Sequence, residues 1–234
     1  MWKILRFDQL DSTNSYAKRN CSLIADQSII VANTQTAGRG RLNRKWLSQA
    51  GGLYFSIVLK PAATAHLANL TQLMALSVCQ VLHRWQIPAQ LKWPNDVLVN
   101  GKKICGILSE AVAHQNGFEA LVLGVGLNVS QDDLSTIDQP ATSLALLGVQ
   151  DDATHVLDVI LTQFFAGYHM VLQHGFSAIR NEYLAYFPYI GKQVRIANGV
   201  TPLQGTIQTI SPNGELLLQT DVGQTIISIG DICL

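Results

Sequence analysis

Residues 38–46 read Gly-Arg-Gly-Arg-Leu-Asn-Arg-Lys-Trp, with four cations inside seven residues. Lys and Arg are almost never fully buried without partners. The segment is therefore a surface loop. The apolar β-branched run Ser28 to Ala32 before it and the run Leu53 to Leu59 after Gly51-Gly52 are the strands it must join. Backbone N–H groups and guanidinium forks in such a loop suit an anion, and Trp46 offers a ring for a flat partner. A nucleotide phosphate with its base nearby meets both requirements.

Charge along the chain is segregated. Basic and acidic residues balance at 16 each, so no whole-molecule field draws in nucleic acid or membrane. Yet Gln27 to Asn95 carries no Asp or Glu, while Arg39, Arg41, Arg44, Lys45, Lys60, Arg84 and Lys92 fall within it. Ile104 to Ile179 carries eight acids and no Lys or Arg. This predicts one anion-binding pole in a neutral protein. A hydrophobic content of 48% with 14% charged residues specifies a folded, core-rich chain. Cys21, Cys79, Cys105 and Cys233 are widely spaced without a CxxC pair, which predicts buried thiols rather than disulfides or zinc ligands. The first residues lack a signal-peptide core, and no uninterrupted apolar run approaches the roughly 18 residues of a membrane span. A soluble cytoplasmic protein is expected.

Local patterns predict a strand over 2–8, a helix capped by Ser12 or Thr13 and running to Asn20, and strands at 28–32 and 53–59. Leu67, Leu70, Met74, Val78, Val81 and Trp85 recur at helical spacing and predict an amphipathic helix. Ile104 to Ala113 and Phe118 to Val129 flank His114-Gln115-Asn116-Gly117, a hairpin signal. Val156, Val159, Ile160, Phe164 and Tyr168 mark a second helix. The expected fold class is α+β, with a mixed, largely antiparallel sheet packed with helices. After Pro188 only short strands and turns remain, including Asn198-Gly199 and Pro212-Asn213-Gly214. The expected division is a main domain over 1–188 and a small β-barrel over 189–234 that docks on it.

Lys92-Trp93-Pro94-Asn95-Asp96 presents a cation, an amide and a carboxylate on a stiff bend. If Val97 to Val99 pairs with the strand from Ile104, Asp96 and Lys103 lie across from one another. Spacing alone reads that pair as an ordinary salt bridge.

Together these pieces resemble the biotin protein ligases. The resemblance rests on Asp11-Ser12-Thr13-Asn14, on Gln35 through Trp46, on Lys92 to Asp96, on Lys103 to Glu110, and on Gly124-Val125-Gly126-Leu127-Asn128, in the family's order and spacing. Thr142-Ser143-Leu144 and the terminal barrel extend it to nearly the full length. The resemblance implies a class II synthetase-like catalytic domain with an SH3-like C-terminal barrel. It implies an ATP-dependent ligase that makes biotinyl-5′-adenylate and transfers biotin to a lysine of a biotin carboxyl carrier domain, that of acetyl-CoA carboxylase being the first candidate. ATP and biotin are the implied substrates, with Mg²⁺.

By the same resemblance, Arg41, Lys103 and Asp96 are catalytic. Ser12, Thr13, Asn14, Gln35, Gly38, Arg39, Gly40, Arg41, Lys103 and Gly106 bind biotin. Arg39, Arg41, Arg44, Trp46, Lys92, Asn95 and Asn128 bind ATP. Asp96 either helps hold Mg²⁺ or serves the carrier lysine. Residues 36–52 are expected to form a lid, and a homodimer is possible. Family members that repress transcription carry a helix-turn-helix domain ahead of the catalytic part. Here that part begins within a dozen residues of Met1, so no operator binding is expected. The alternatives are a lipoate-type protein ligase, whose arginine-serine-triple-glycine block is absent, and a non-enzymatic nucleic-acid-binding module.

Overall fold

The computed structural model describes residues 2–114, 117–197 and 202–233. Gln115-Asn116 and Asn198-Gly199, predicted as turns, lie outside them.

The main sheet has seven strands: β1 (Ile4–Leu10), β2 (Ser28–Gln35), β3 (Gly52–Leu59), β4 (Ala89–Lys92), β5 (Asp96–Val99), β6 (Lys102–His114) and β7 (Gly117–Asn128). Their order is β1-β2-β3-β7-β6-β5-β4. Only β1 and β2 run parallel; β2-β3, β3-β7, β7-β6, β6-β5 and β5-β4 are antiparallel. The sheet is thus mixed and largely antiparallel.

Four helices cover it: α1 (Thr13–Arg19), α2 (Asn69–Arg84), α3 (Ala153–His174) and α4 (Arg180–Ala185). Strand periodicity decides which face each residue serves. On β3, Leu53, Phe55, Ile57 and Leu59 point into the main core with Leu70, Met74, Phe164 and Tyr183 from the three later helices. Val58, from the opposite face, packs with Ala17, Cys21, Ile30 and Val122 under α1. Burial of each large apolar side chain contributes roughly 1.5–3 kcal/mol. α3 with the turn after it, Ala153–Ala178, is long and apolar enough to cross a membrane by length and composition. In this fold its Val156, Ile160, Phe164 and Tyr168 are core residues.

α2 departs from the amphipathic expectation. Its buried residues include Asn69, Gln72 and Ser77 as well as the apolar stripe. The polar pair is buried because it faces the second sheet: Asn69 Nδ2 donates to the Asn213 carbonyl at 2.9 Å and Gln72 Nε2 to that of Gly214 at 2.8 Å.

That second sheet is antiparallel, with order β11-β10-β9-β8-β12. Its strands are β8 (Gln193–Ala197), β9 (Leu203–Ile210), β10 (Leu216–Thr220), β11 (Gly223–Ile227) and β12 (Asp231–Cys233). β12 is a strand the sequence patterns do not predict. Ile196, Ile207, Ile210, Leu216, Leu218 and Ile232 join the same contiguous core as the main sheet. Trp93 Nε1 adds a buried bond to the Gly214 carbonyl at 3.0 Å. Three cysteines are buried as expected, but Cys233 is exposed because it alternates with the buried Ile232 along β12 and so faces away from the core.

Candidate active site

The site lies on the α1 face of the main sheet, at its centre. Its floor is glycine. Gly126 of β7 pairs in register with Gly106 of β6, and Gly124 pairs with Leu108 of β6 and Ser56 of β3. A Cβ at Gly126 would stand 2.4 Å from the Trp46 indole, one at Gly106 2.9 Å from it, and one at Gly124 2.1 Å from Asn14. The bare backbone therefore lets side chains lie flat on the sheet.

One wall comes from the junction of β1 and α1. Ser12 is the N-cap of α1, its hydroxyl accepting from Ser15 N. Thr13 and Asn14 follow, both buried. Gln35, at the end of β2, accepts from Thr13 N at 2.8 Å and donates to Ser48 Oγ at 2.7 Å. Asn14 Nδ2 donates to the Leu108 carbonyl at 3.1 Å and to Glu110 at 3.0 Å. Burial raises the Glu110 pKa, but hydrogen bonds from Lys18 and Asn14, with the charges of Lys18 and Arg39, outweigh it and hold the carboxyl below its usual range.

The opposite wall is the cationic loop. It closes on itself as a tight hairpin, with Trp46 N donating to the Gly38 carbonyl at 2.9 Å and Gly40 N to that of Arg44 at 2.7 Å. Leu42 and Asn43 at its tip both take left-handed backbone conformations (φ 52° and 60°). That conformation costs a branched residue such as leucine about 1–2 kcal/mol. Arg39 Nη1 lies 3.4 Å from Glu110. Arg41 Nη1 donates to Asn95 Oδ1 at 3.1 Å and to Asp231 of β12 at 2.8 Å. Arg44 pairs with the other oxygen of Asp231.

At the far end, Lys103 Nζ lies 2.8 Å from Asp96 Oδ1, both largely buried. The contact is electrostatic rather than an aligned hydrogen bond, and Asp96 Oδ1 has no other partner among the described residues. Lys103 also stands over the Trp46 ring at 5.3 Å. The Trp46 indole N–H is buried without an acceptor among the described residues.

Ser12, Thr13, Asn14, Gln35, Arg39, Gly40, Arg41, Arg44, Trp46, Asn95, Asp96, Lys103 and Gly106 line this one cleft, joined by Lys45, Gly124, Gly126, Gln139 and Asp231. Three predicted positions do not line it. Gly38 lies behind the loop, where a Cβ would sit 2.3 Å from the Trp46 carbonyl oxygen. Lys92 pairs with Asp96 across β4 and β5. Asn128 donates to the Thr142 carbonyl at 2.9 Å and lines an adjoining cavity of about 660 Å³ with Trp46, Lys103 and residues 136–139.

Residues 6–128 match the biotin/lipoate A/B protein ligase family, and residues 189–234 match the biotin protein ligase C-terminal domain. The chain belongs to this ligase family. It is 35% identical to the bifunctional ligase/repressor BirA of Bacillus subtilis over 98% of this chain and 73% of that protein. It is 31% identical to the biotin–[acetyl-CoA-carboxylase] ligase of Paracoccus denitrificans over 95% and 96% of the two chains. Among solved structures, the biotin protein ligase of Aquifex aeolicus in complex with biotin and ATP superposes with a TM-score of 0.88 at 31% identity, covering 100% of this chain and 98% of that one.

Two features of the ligase cleft receive no role from the sequence patterns. Gly124 and Gly126, although part of a block that carries the resemblance, are assigned no place in the site; they stand two apart on one strand and so share a face, a signal visible once the strand is assigned. Asp231 gives no signal, because nothing local to β12 indicates that it meets a loop 187 residues away.

Proposed function

We propose that the ligase condenses biotin with ATP to biotinyl-5′-adenylate, and then passes biotin to a lysine of a biotin carboxyl carrier domain. The observation that carries this reading is the convergence of Arg39, Arg41 and Lys103 with the polar row Ser12-Thr13-Asn14-Gln35 over a glycine floor. The first step brings a carboxylate to the α-phosphorus of a polyanion. Two unit charges ~4 Å apart repel by about 4 kcal/mol at an effective dielectric near 20. Arg39, Arg41 and Lys103 offset that repulsion and stabilise the charge that develops in the in-line transition state. The ureido ring of biotin needs several hydrogen-bond partners, which Ser12, Thr13 and Gln35 supply. Arg44, Trp46 and Asn95 serve the nucleotide, with Asn128 on the side of the adjoining cavity.

Asp96 suits Mg²⁺, since its Oδ1 is buried and lacks an aligned donor. Magnesium favours one or two carboxylates plus phosphate oxygens, and when bound it neutralises phosphate charge. In the second step Asp96 orients the incoming lysine and accepts its proton, because that amine is mostly protonated at neutral pH and attacks only as the free base. Residues 1–188 act as the catalytic unit. Residues 189–234 contribute Asp231 to the loop and engage ATP or carrier. The names of the relatives support acetyl-CoA carboxylase as the source of the carrier; the cytoplasm is the compartment that this reading assigns. Pairing of two copies through a free edge of the main sheet belongs to the same reading and is checked by sedimentation.

Mass spectrometry of the chain mixed with biotin, Mg-ATP and a carrier domain tests the reading. Adenylate and a biotinylated lysine are expected, and the absence of both refutes it. Because the family also contains lipoate ligases, lipoate is the control. Biotin at 100 times its Kd should add about 2.7 kcal/mol to stability and lipoate nothing.

A further inference from the structure

Behind the polar wall runs a continuous chain of hydrogen bonds that includes residues the ligand does not reach. It starts at Glu110 of β6 and passes to Asn14 Nδ2 at 3.0 Å. Asn14 Oδ1 meets Ser56 Oγ of β3 at 2.6 Å, and Ser56 Oγ meets Thr13 Oγ1 at 2.8 Å. Thr13 then contacts Gln35 Oε1 through its N–H at 2.8 Å and its hydroxyl at 3.2 Å. Ser56 is fully buried, and neither it nor Glu110 lines the cleft.

Counting protons gives this chain a direction. Glu110 is surrounded by donors, namely Lys18, Arg39 and Asn14, and so acts as an acceptor. Asn14 has two amide hydrogens, and both are used, one on Glu110 and one on the Leu108 carbonyl. Its Oδ1 must therefore accept, and the hydroxyl that reaches it is that of Ser56. A hydroxyl has one proton. Having given it to Asn14, Ser56 can only accept from Thr13. The Thr13 proton thus points backward into the wall. Gln35 Oε1 has a second lone pair 3.2 Å away, but the Thr13 proton goes to the closer Ser56 Oγ at 2.8 Å, where no other proton is available, and on either acceptor it points out of the cleft. What Thr13 Oγ1 shows the cleft is lone pairs alone.

We propose that Glu110 and Ser56 are positioning residues which, through Asn14, lock the Thr13 hydroxyl as an acceptor, so that this wall selects a ligand ring bearing an N–H. This rests on the biotin-ligase reading and deepens it. A cyclic urea carries an N–H on each side of its carbonyl; a dithiolane ring carries none. The relay is therefore the element of this cleft that tells the two ligand classes of the family apart. A site built around a hydrogen bond rejects the analogue lacking it far more strongly than an apolar pocket rejects a small change of size.

The test is calorimetric titration of the full chain and of Ser56→Ala. The ligands are biotin, ATP and the two cyclic carbamate analogues in which one or the other ring N–H is replaced by oxygen. Ser56→Ala removes the nearer acceptor behind Thr13 and leaves its proton shared between Gln35 Oε1 and the cleft. Biotin affinity should then fall about five- to tenfold, the scale of one lost hydrogen bond. ATP affinity should not change. One of the two carbamates should bind the variant as well as, or better than, it binds the wild type, because its ring oxygen welcomes the freed proton. Glu110→Ala, which frees the Asn14 amide to turn, should show the same split between biotin and the carbamates and decides the matter if Ser56→Ala fails to melt cooperatively; its ATP affinity is not a control, because Glu110 also pairs with Arg39. Equal loss for biotin and both carbamates in either variant, or a parallel loss for ATP in Ser56→Ala, overturns the relay. Failure of wild-type protein to bind biotin at all instead overturns the functional reading beneath it.

Discussion

At the scale of single residues, the cleft joins groups that resist substitution for different reasons. Lys103 is a preorganised charge, and Lys103→Ala should raise the barrier to adenylate formation by about 2.7–4 kcal/mol, read as single-turnover rates of pyrophosphate release. Asp96→Asn should spare biotin binding and slow transfer to the carrier; equal damage to both steps removes Asp96 from the second one. Gly126 fails for steric reasons. With the indole 2.4 Å from the position of a new Cβ, Gly126→Ala must expel Trp46 from its seat. Nucleotide affinity should drop at least tenfold while biotin-independent stability changes little, as checked by titration and by thermal melts. The loop arginines were legible in the sequence because cations without nearby acids are conspicuous, whereas Lys103, with Asp96 seven residues away, drew its role only from the family block that contains it. Ser56 was not legible, because a serine inside an apolar strand looks like any other, and only the proximity of Thr13 and Asn14 gives it a task.

At the scale of elements, α1 and β6 are tied by Glu110, which accepts from Lys18 of the helix and from Asn14. The sign of its pH dependence follows from the lowered pKa. The folded state holds the charged form more strongly than the unfolded chain, whose carboxyl titrates near 4.5. The stabilisation is complete above that value and is lost as pH falls through the lower folded one. Melting temperature should therefore decline more steeply on acidification for the wild type than for Glu110→Gln; parallel curves show that the tie contributes nothing. The loop is the other element under load. Leu42 and Asn43 sit in left-handed geometry, and ion pairs to Asp231 oppose that strain. Biotin with ATP should protect residues 39–45 from protease, and unchanged cleavage rejects a lid. Strand runs and helix stripes announced the sheet and α3 well. The burial of Asn69 and Gln72 did not show, since a polar residue on a helix reads as solvent-facing until its neighbour is known.

At the scale of the whole molecule, the two sheets share one core, and the cleft borrows Asp231 from the smaller one. Asp231→Asn should leave the fold intact, release Arg41 and Arg44 to the nucleotide and lower the KM for ATP more than that for biotin, measured by steady-state kinetics. The change of sequence texture after Pro188 announced the short strands of the smaller sheet but hid the joint site, because a contact spanning most of the chain leaves no local pattern. One carboxylate serving two guanidinium groups also limits the states available to the latch. When a triphosphate takes those guanidinium groups, Asp231 is left as a bare anion beside other anions, and Coulomb repulsion parts the loop from β12 while the shared core holds the sheets together. The ligase should accordingly behave as a built-in gauge of its own occupancy: a pair of dyes, one on the loop and one on the small sheet, should dim or brighten in step with nucleotide loading.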